Sequence, residues 1–230
     1  PLTIEVVAMD WKWLFIYPEQ GIATVNEVAA ITDRPVEFKM TSSTVMNAFY
    51  IPDLAGMIYT MTGMETELNA VMNHDGVYDG FSANYSGMDY NWMRFKFHSM
   101  DQAGFDAWVD KVRASDDTLD RPTFVELDKP SKAHPVTYYG SVEENMWTRI
   151  LNQCVSDDAL CMNDMMMVDA LGGGGLEGLY NRELYRGMCS ADDPRALLDI
   201  LRPNDSEVRK DAVMSATDLL PDFLAPADAA

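Results

Sequence analysis

The side chains best placed to do chemistry lie between Tyr78 and Met93. That stretch presents Ser82, Ser86, Tyr85, Tyr90 and one thioether, Met93. It has the outline of a copper-binding loop with other residue types at the ligand positions. A soft, electron-transferring copper ion needs thiolate and imidazole around it, two His and one Cys with a Met in a mononuclear centre. This loop offers hydroxyls and one sulfur. The three histidines (His74, His98, His134) all precede the three cysteines (Cys154, Cys161, Cys189), and no Cys stands close to a His in sequence. The pattern suggests an electron-transfer scaffold without the means to transfer electrons.

Other chemistries fare no better. Ser82 or Ser86 would need a base and an oxyanion hole to act as a nucleophile. His74 is near in sequence, but neither serine sits in a G-x-S-x-G turn. The histidines lack the i, i+4 spacing of a helical metal site and read as surface or edge residues. Met162, Met165, Met166 and Met167 could meet a soft metal, although a flexible packing segment explains them as well. Gly172–Gly175 is followed by no Lys-Ser or Lys-Thr, so it is no phosphate loop, and it reads as a flexible joint. The sequence contains no C-x-x-C, which argues against a redox dithiol or a structural zinc. A Cys154–Cys161 disulfide is open, and three cysteines leave at least one unpaired within the chain.

The bulk properties narrow the partners. The chain has 37 acidic against 17 basic residues, a formal charge of −20. Such a surface repels phosphate backbones, which argues against nucleic acid, and it lacks the polybasic patch that binds anionic lipid. No run of apolar residues is long enough to span a bilayer, and no signal peptide is present. The start at Pro1, directly before the strand-like Leu2–Ala8, suggests that a targeting or membrane segment precedes it.

The elements that must hold the loop follow from periodicity. Leu2–Ala8, Lys12–Tyr17, Pro35–Thr41, Met46–Ile51, Met57–Met61, Thr66–Met72, Val77–Ala83 and Met93–His98 read as short strands between turn signals, and Ala23–Ala30 is ambiguous. Strands at this spacing predict a mainly β sandwich or barrel. Phe105, Trp108, Val109 and Val112 mark one helix face, started by Asp101. Residues 115–138, with Pro122, Pro130 and Pro135, read as an extended connection. Ser141–Glu144 reads as a capping box for a second helix carrying Met146, Trp147, Ile150, Leu151 and Cys154. Short helices are expected at Leu176–Met188, Pro194–Leu201 and Ser206–Leu220, with a loose end at 226–230. Trp11, Trp13, Phe15 and Tyr17 alternate along one strand and suit a core, although Trp11, Trp13 and Tyr17 are also candidates for a partner interface.

Several long motifs then carry a resemblance. Ile4–Glu27 (IEVVAMDWKWLFIYPEQGIATVNE), Val45–Pro52 (VMNAFYIP) and Ile58–Met64 (IYTMTGM) are similar to subunit II of haem-copper respiratory oxidases, in the quinol-oxidising cytochrome bo branch. The segment Phe105–Ile150 resembles the aromatic-rich region that follows the cupredoxin domain in that branch. The likeness covers about residues 1–152, in order. In the cytochrome c oxidising relatives the domain holds a dinuclear copper centre, with an upstream His and then C-x-x-x-C-x-x-x-H-x-x-M. On this sequence those positions fall at Asn47, Ser82, Ser86, Tyr90 and Met93, and only the Met remains. The resemblance thus implies a cupredoxin-like Greek-key β-sandwich or barrel without copper, followed by a helical C-terminal region, and no cofactor or catalytic residue in this chain. It further implies two transmembrane helices upstream, often a lipoprotein signal, and a place on the periplasmic side of the bacterial inner membrane.

The organisation expected is a cupredoxin-like domain over 1–98, an aromatic-rich helical extension over 99–152 and an acidic, Met-rich extension over 153–230. The leading function is the periplasmic part of subunit II of a proton-pumping ubiquinol oxidase, structural rather than redox-active. Ubiquinol would be oxidised in a membrane-embedded large subunit holding the haem and copper. Two other readings stand beside it: a copper-containing cytochrome c oxidase subunit II, and a stand-alone acidic binding module.

Overall fold

The computed structural model describes residues 1–156, 159, 161–163, 165 and 166. The Gly172–Gly175 joint, the three C-terminal helices, the 226–230 end, Met167 and Cys189 lie outside the described residues. Pro1–Asp157 form one compact unit. Cys154 and Cys161 are both disulfide-bonded.

The N-terminal strands form between the expected turn signals. They are β1 (Leu2–Met9), β2 (Lys12–Tyr17), β3 (Ile22–Val25), β4 (Glu27–Ile31), β5 (Val36–Ser42), β6 (Asn47–Tyr50), β7 (Ile58–Thr60), β8 (Thr66–Ala70), β9 (Gly76–Ser82) and β10 (Arg94–Met100). The ambiguous stretch 23–30 resolves into two strands, because Asn26 adopts a positive φ of 58° between them. Its side-chain oxygen accepts from the Trp13 N–H at 2.9 Å and its amide donates to the His134 carbonyl at 2.8 Å. Asn tolerates the left-handed conformation better than most residues, so one residue passes the chain from the first sheet to the second.

After β10 come α1 (Gln102–Arg113), β11 (Thr118–Leu119), α2 (Arg121–Leu127), β12 (Thr137–Tyr139), β13 (Ser141–Val142) and α3 (Met146–Leu151). The first sheet has the order β12-β3-β2-β1-β5-β8 and the second β4-β10-β9-β6-β7; β11 and β13 form a small third sheet. Parallel pairs, β1 with β5 and β4 with β10, sit among antiparallel ones. This is the cupredoxin-like, two-sheet Greek-key arrangement that the sequence suggests.

The hydrophobic side chains divide into two cores. Between the sheets lie Trp13, Phe15, Phe38, Phe49, Phe95 and Phe97, joined by Phe105, Trp108 and Val112 of α1. Trp13 meets Phe49 edge-on at 5.3 Å, and Phe49 stacks on Phe95 at 5.3 Å. On the outer face of the first sheet, Val7, Met9, Leu14 and Ile16 pack against Leu119, Phe124, Leu127, Met146 and Ile150. The segment after α1 is therefore the third layer, and β2 is buried along its whole length. A strand covered on both faces reads as a continuous apolar run.

Two sequence expectations need correction. Residues 115–138 are not merely extended: α2 lies within them, because Asp120 accepts from the Thr123 N–H at 2.9 Å and Pro122 falls in the first turn, where its missing N–H does no harm. Ser141 and Glu144 form no capping box. Ser141 pairs with Thr118 in a strand, Glu143 accepts from the Arg121 N–H at 3.0 Å, and α3 starts later, after Asn145 at φ 62°.

Candidate functional site

One end of the sandwich carries the loop between β9 and β10. Ser82 closes β9, Asn47 opens β6, and Met93 immediately precedes β10. The topology brings these three together. The Ser82 hydroxyl donates to the Asn47 side-chain oxygen at 3.0 Å, and the Asn47 amide donates to the Val45 carbonyl at 3.1 Å. The Ser82 N–H donates to the Met93 carbonyl at 3.1 Å, and all three residues are buried. Paired groups of this kind are what burial of polar atoms demands.

Ser86 and Tyr90 are held differently. The Ser86 carbonyl accepts from Trp11 Nε1 at 3.1 Å, while the buried Ser86 hydroxyl has no hydrogen-bond partner. Gly87 has φ +113°, and a Cβ there would press on the Trp11 ring at 3.2 Å. Tyr90 begins a short 3₁₀ turn and packs edge-on against Tyr85 at 5.1 Å. The loop is tied to its neighbour by Asn84, whose amide donates to the Met46 carbonyl at 3.2 Å.

This donor set does not fit a dinuclear copper centre. An amide, two hydroxyls and a phenol are hard donors, and one buried thioether cannot bridge two soft ions. Hydrogen bonds from Ser82, Asn84 and Trp11 hold the loop. Among the described residues, no group of three or more His, Cys, Asp or Glu could hold a metal ion.

Of the three candidate interface aromatics, Trp13 and Tyr17 are fully buried and are removed from that role. The Tyr17 hydroxyl is committed to the Ala29 carbonyl at 2.9 Å. Trp11 does not continue the strand alternation. It sits in the β1–β2 turn at φ 65° and reaches the loop.

What the sequence does not reveal is the outer surface of this tip. Met88 is 85% exposed, Tyr85 72% and Trp92 48%, with Tyr90, Val45 and Met46 also open. Behind the turn, Lys12 is 0% exposed and donates to the Lys129 carbonyl and the Ser131 hydroxyl, both at 2.8 Å. Burial pushes its ammonium pKa down, against the pull of Asp128 and Asp10. Burial pushes the Asp128 carboxyl up, against a hydrogen bond from Ser43. Further along β1, Glu5 is pushed from 4.5 to about 7, chiefly by burial and then by Glu65. Away from the turn, His98 stands 3.6 Å from the Glu27 carboxylate, which also accepts from Trp108 Nε1 and Tyr138 at 2.8 Å each.

Residues 113–158 match the family described as the COX Aromatic Rich Motif. The chain is 52% identical over 153 residues to cytochrome bo(3) ubiquinol oxidase subunit 2 of Pseudomonas aeruginosa, covering 66% of this chain and 46% of that one. It is 50% identical over 153 residues to ubiquinol oxidase subunit 2 of Acetobacter aceti, 66% of this chain and 49% of that one. The chain thus spans about half the length of the curated relatives it matches. A solved periplasmic domain of subunit II of cytochrome oxidase from Bradyrhizobium japonicum is similar at 21% identity and a TM-score of 0.46, covering 48% of this chain and 91% of that one. Over the residues that align, this chain is similar to subunit 2 of quinol oxidases.

Proposed function

We propose that this chain is the periplasmic part of subunit 2 of a proton-pumping ubiquinol oxidase, and that it serves the complex as architecture and not as an electron relay. In this reading ubiquinol is oxidised in a membrane-embedded large subunit that holds the haem and copper, and helices upstream of Pro1 anchor the domain. The observation that supports it is the hydrogen-bonded Asn47–Ser82–Met93 cluster, whose amide and hydroxyl are hard donors already paired with each other. The names of the relatives support the complex, and the loop chemistry supports the passive role. Positions 47, 82, 86, 90 and 93 are then vestiges of a copper site.

The same reading gives the tip a task. Met88, Tyr85, Trp92, Tyr90 and Met46 form an exposed apolar rim, which on a soluble surface marks an interaction site. We assign it to docking on the large oxidase subunit.

Metal analysis tests the passive role. The purified chain is expected to hold no stoichiometric copper and to lack visible absorption. The combined variant Asn47→His, Ser82→Cys, Ser86→Cys, Tyr90→His is expected to bind two copper ions and become coloured. Two copper ions in the unaltered chain would overturn the proposal. A folded variant that takes up none would refute the assignment of the vestigial positions.

A further inference from the structure

The aromatic-rich segment leaves α2 at Asp128 and runs beside the tip, and two contacts from Lys12 fix it there. Lys12 donates to the carbonyl of Lys129, the hydroxyl of Ser131 and, at 3.4 Å, the carbonyl of Asp10. A buried ammonium is costly unless its protons are bonded, so the two donors spent on Lys129 and Ser131 fix where this segment lies. The neighbours of Lys12 reach the other loops. Trp11 holds Ser86 and Gly87, and the Asp10 carboxylate accepts from the Thr44 hydroxyl at 2.6 Å. A positive φ at Trp11 persists only where its surroundings over-determine it. The turn Asp10–Lys12 is thus the point where the segment after α2, the 43–44 loop and the tip are joined.

Charge gives the segment a second role. Residues 83–93 contain one ionisable carboxylate, Asp89, and no basic residue. Lys132 places its ammonium 3.5 Å from Asp89 and 5.7 Å from the centre of the Trp92 ring. On a chain of −20, the tip is left with no net charge. An electrically neutral rim of Met, Tyr and Trp suits burial against an apolar protein surface, because interface cores are depleted in charge.

We propose that Lys129–Lys132 belongs to the docking surface, with Lys12 as the positioning residue that seats it and Lys132 as the cation that neutralises it. This rests on the tip being the face that meets the large subunit. In the oxidase complex that carries this chain, Lys132→Glu sets two carboxylates against each other at the rim, and the large subunit is expected to dissociate about tenfold faster on dilution. Met88→Asp is the companion measurement for the tip itself. If Met88→Asp weakens retention and Lys132→Glu does not, the segment is no part of the surface and this inference fails while the tip stands. If neither matters, the tip reading fails with it.

Lys12 is tested by hydrogen exchange on the 230-residue chain. Lys12→Met is expected to accelerate amides 86–92 and 128–132 by about tenfold while β1, β5 and β10 keep their rates, the mark of a local opening. No change, or the same change in every strand, would contradict a positioning role. If that variant does not fold, Ser131→Ala keeps the ammonium and removes one acceptor. It must then show the same local acceleration, smaller in size.

Discussion

A single missing Cβ makes room for an aromatic ring across two paired strands near the tip. Gly80 on β9 faces the ring of Phe95 on β10, and a Cβ there would lie 2.1 Å from the ring. Phe95 cannot swing away, because it stacks on Phe49 and meets Trp13 edge-on at 5.7 Å. Gly80→Ala is expected to destabilise the domain by about 1–3 kcal/mol through overpacking. Urea unfolding would show it as a lower midpoint at unchanged slope; an unshifted midpoint would mean that the aromatic cluster gives way. In the loop, the Ser82 hydroxyl donates to the Asn47 side-chain oxygen, and Met93 is fully buried.

Elements differ in how much of themselves the sequence displays. The strands with strict alternation were readable because each has one face on the core; the Pro35–Thr41 reading lands on β5 within a residue at each end. The start of α1 was equally plain: Asp101 accepts from the Gly104 N–H at 2.8 Å. Asp101→Ala is expected to cost about 1 kcal/mol, measured as a fall in thermal midpoint that Asp101→Ser largely restores. Beyond α1 the signals fade for a physical reason. α2 has seven residues and β11 to β13 two or three each, too short for a period to register, and their formation depends on distant partners. The Asp-Arg-Pro at 120–122 was a helix start in plain view, but three prolines in the stretch pointed to extended chain instead. The site was half legible. The relation of Asn47 to Ser82 came through family likeness, and the exposure of Tyr85, Met88 and Trp92 came only with coordinates, since loop residues follow no period. Nothing in composition marked Lys12 as buried; its neighbours in the strand were the only hint.

At the scale of the whole molecule, titration links the outer layer to stability. Glu5 lies on β1 beside Lys39 of β5, and its neighbour in charge, Glu65, accepts from Trp147 Nε1 at 3.0 Å. The folded chain keeps the Glu5 proton up to about 7, whereas the unfolded chain releases it near 4.5. Between those values the folded state binds more protons, so this group's contribution is complete below 4.5 and is lost as pH rises through about 7. The thermal midpoint is therefore expected to fall between pH 5 and 7.5 more steeply in the unaltered chain than in Glu5→Gln. Parallel curves for the two proteins would remove Glu5 as the cause.

The edge of the first sheet has a consequence for how the chain is made. Strand β3 is flanked by β12, and Thr137–Tyr139 pair with Ala23–Val25. While the polypeptide emerges from the ribosome, that flank stays bare until well over a hundred further residues have been added. An unpartnered edge is a template for the wrong strand from another molecule. The layer that finishes the sandwich is thus also its safeguard during biogenesis, and a nascent chain stalled before residue 137 would be left to chaperones.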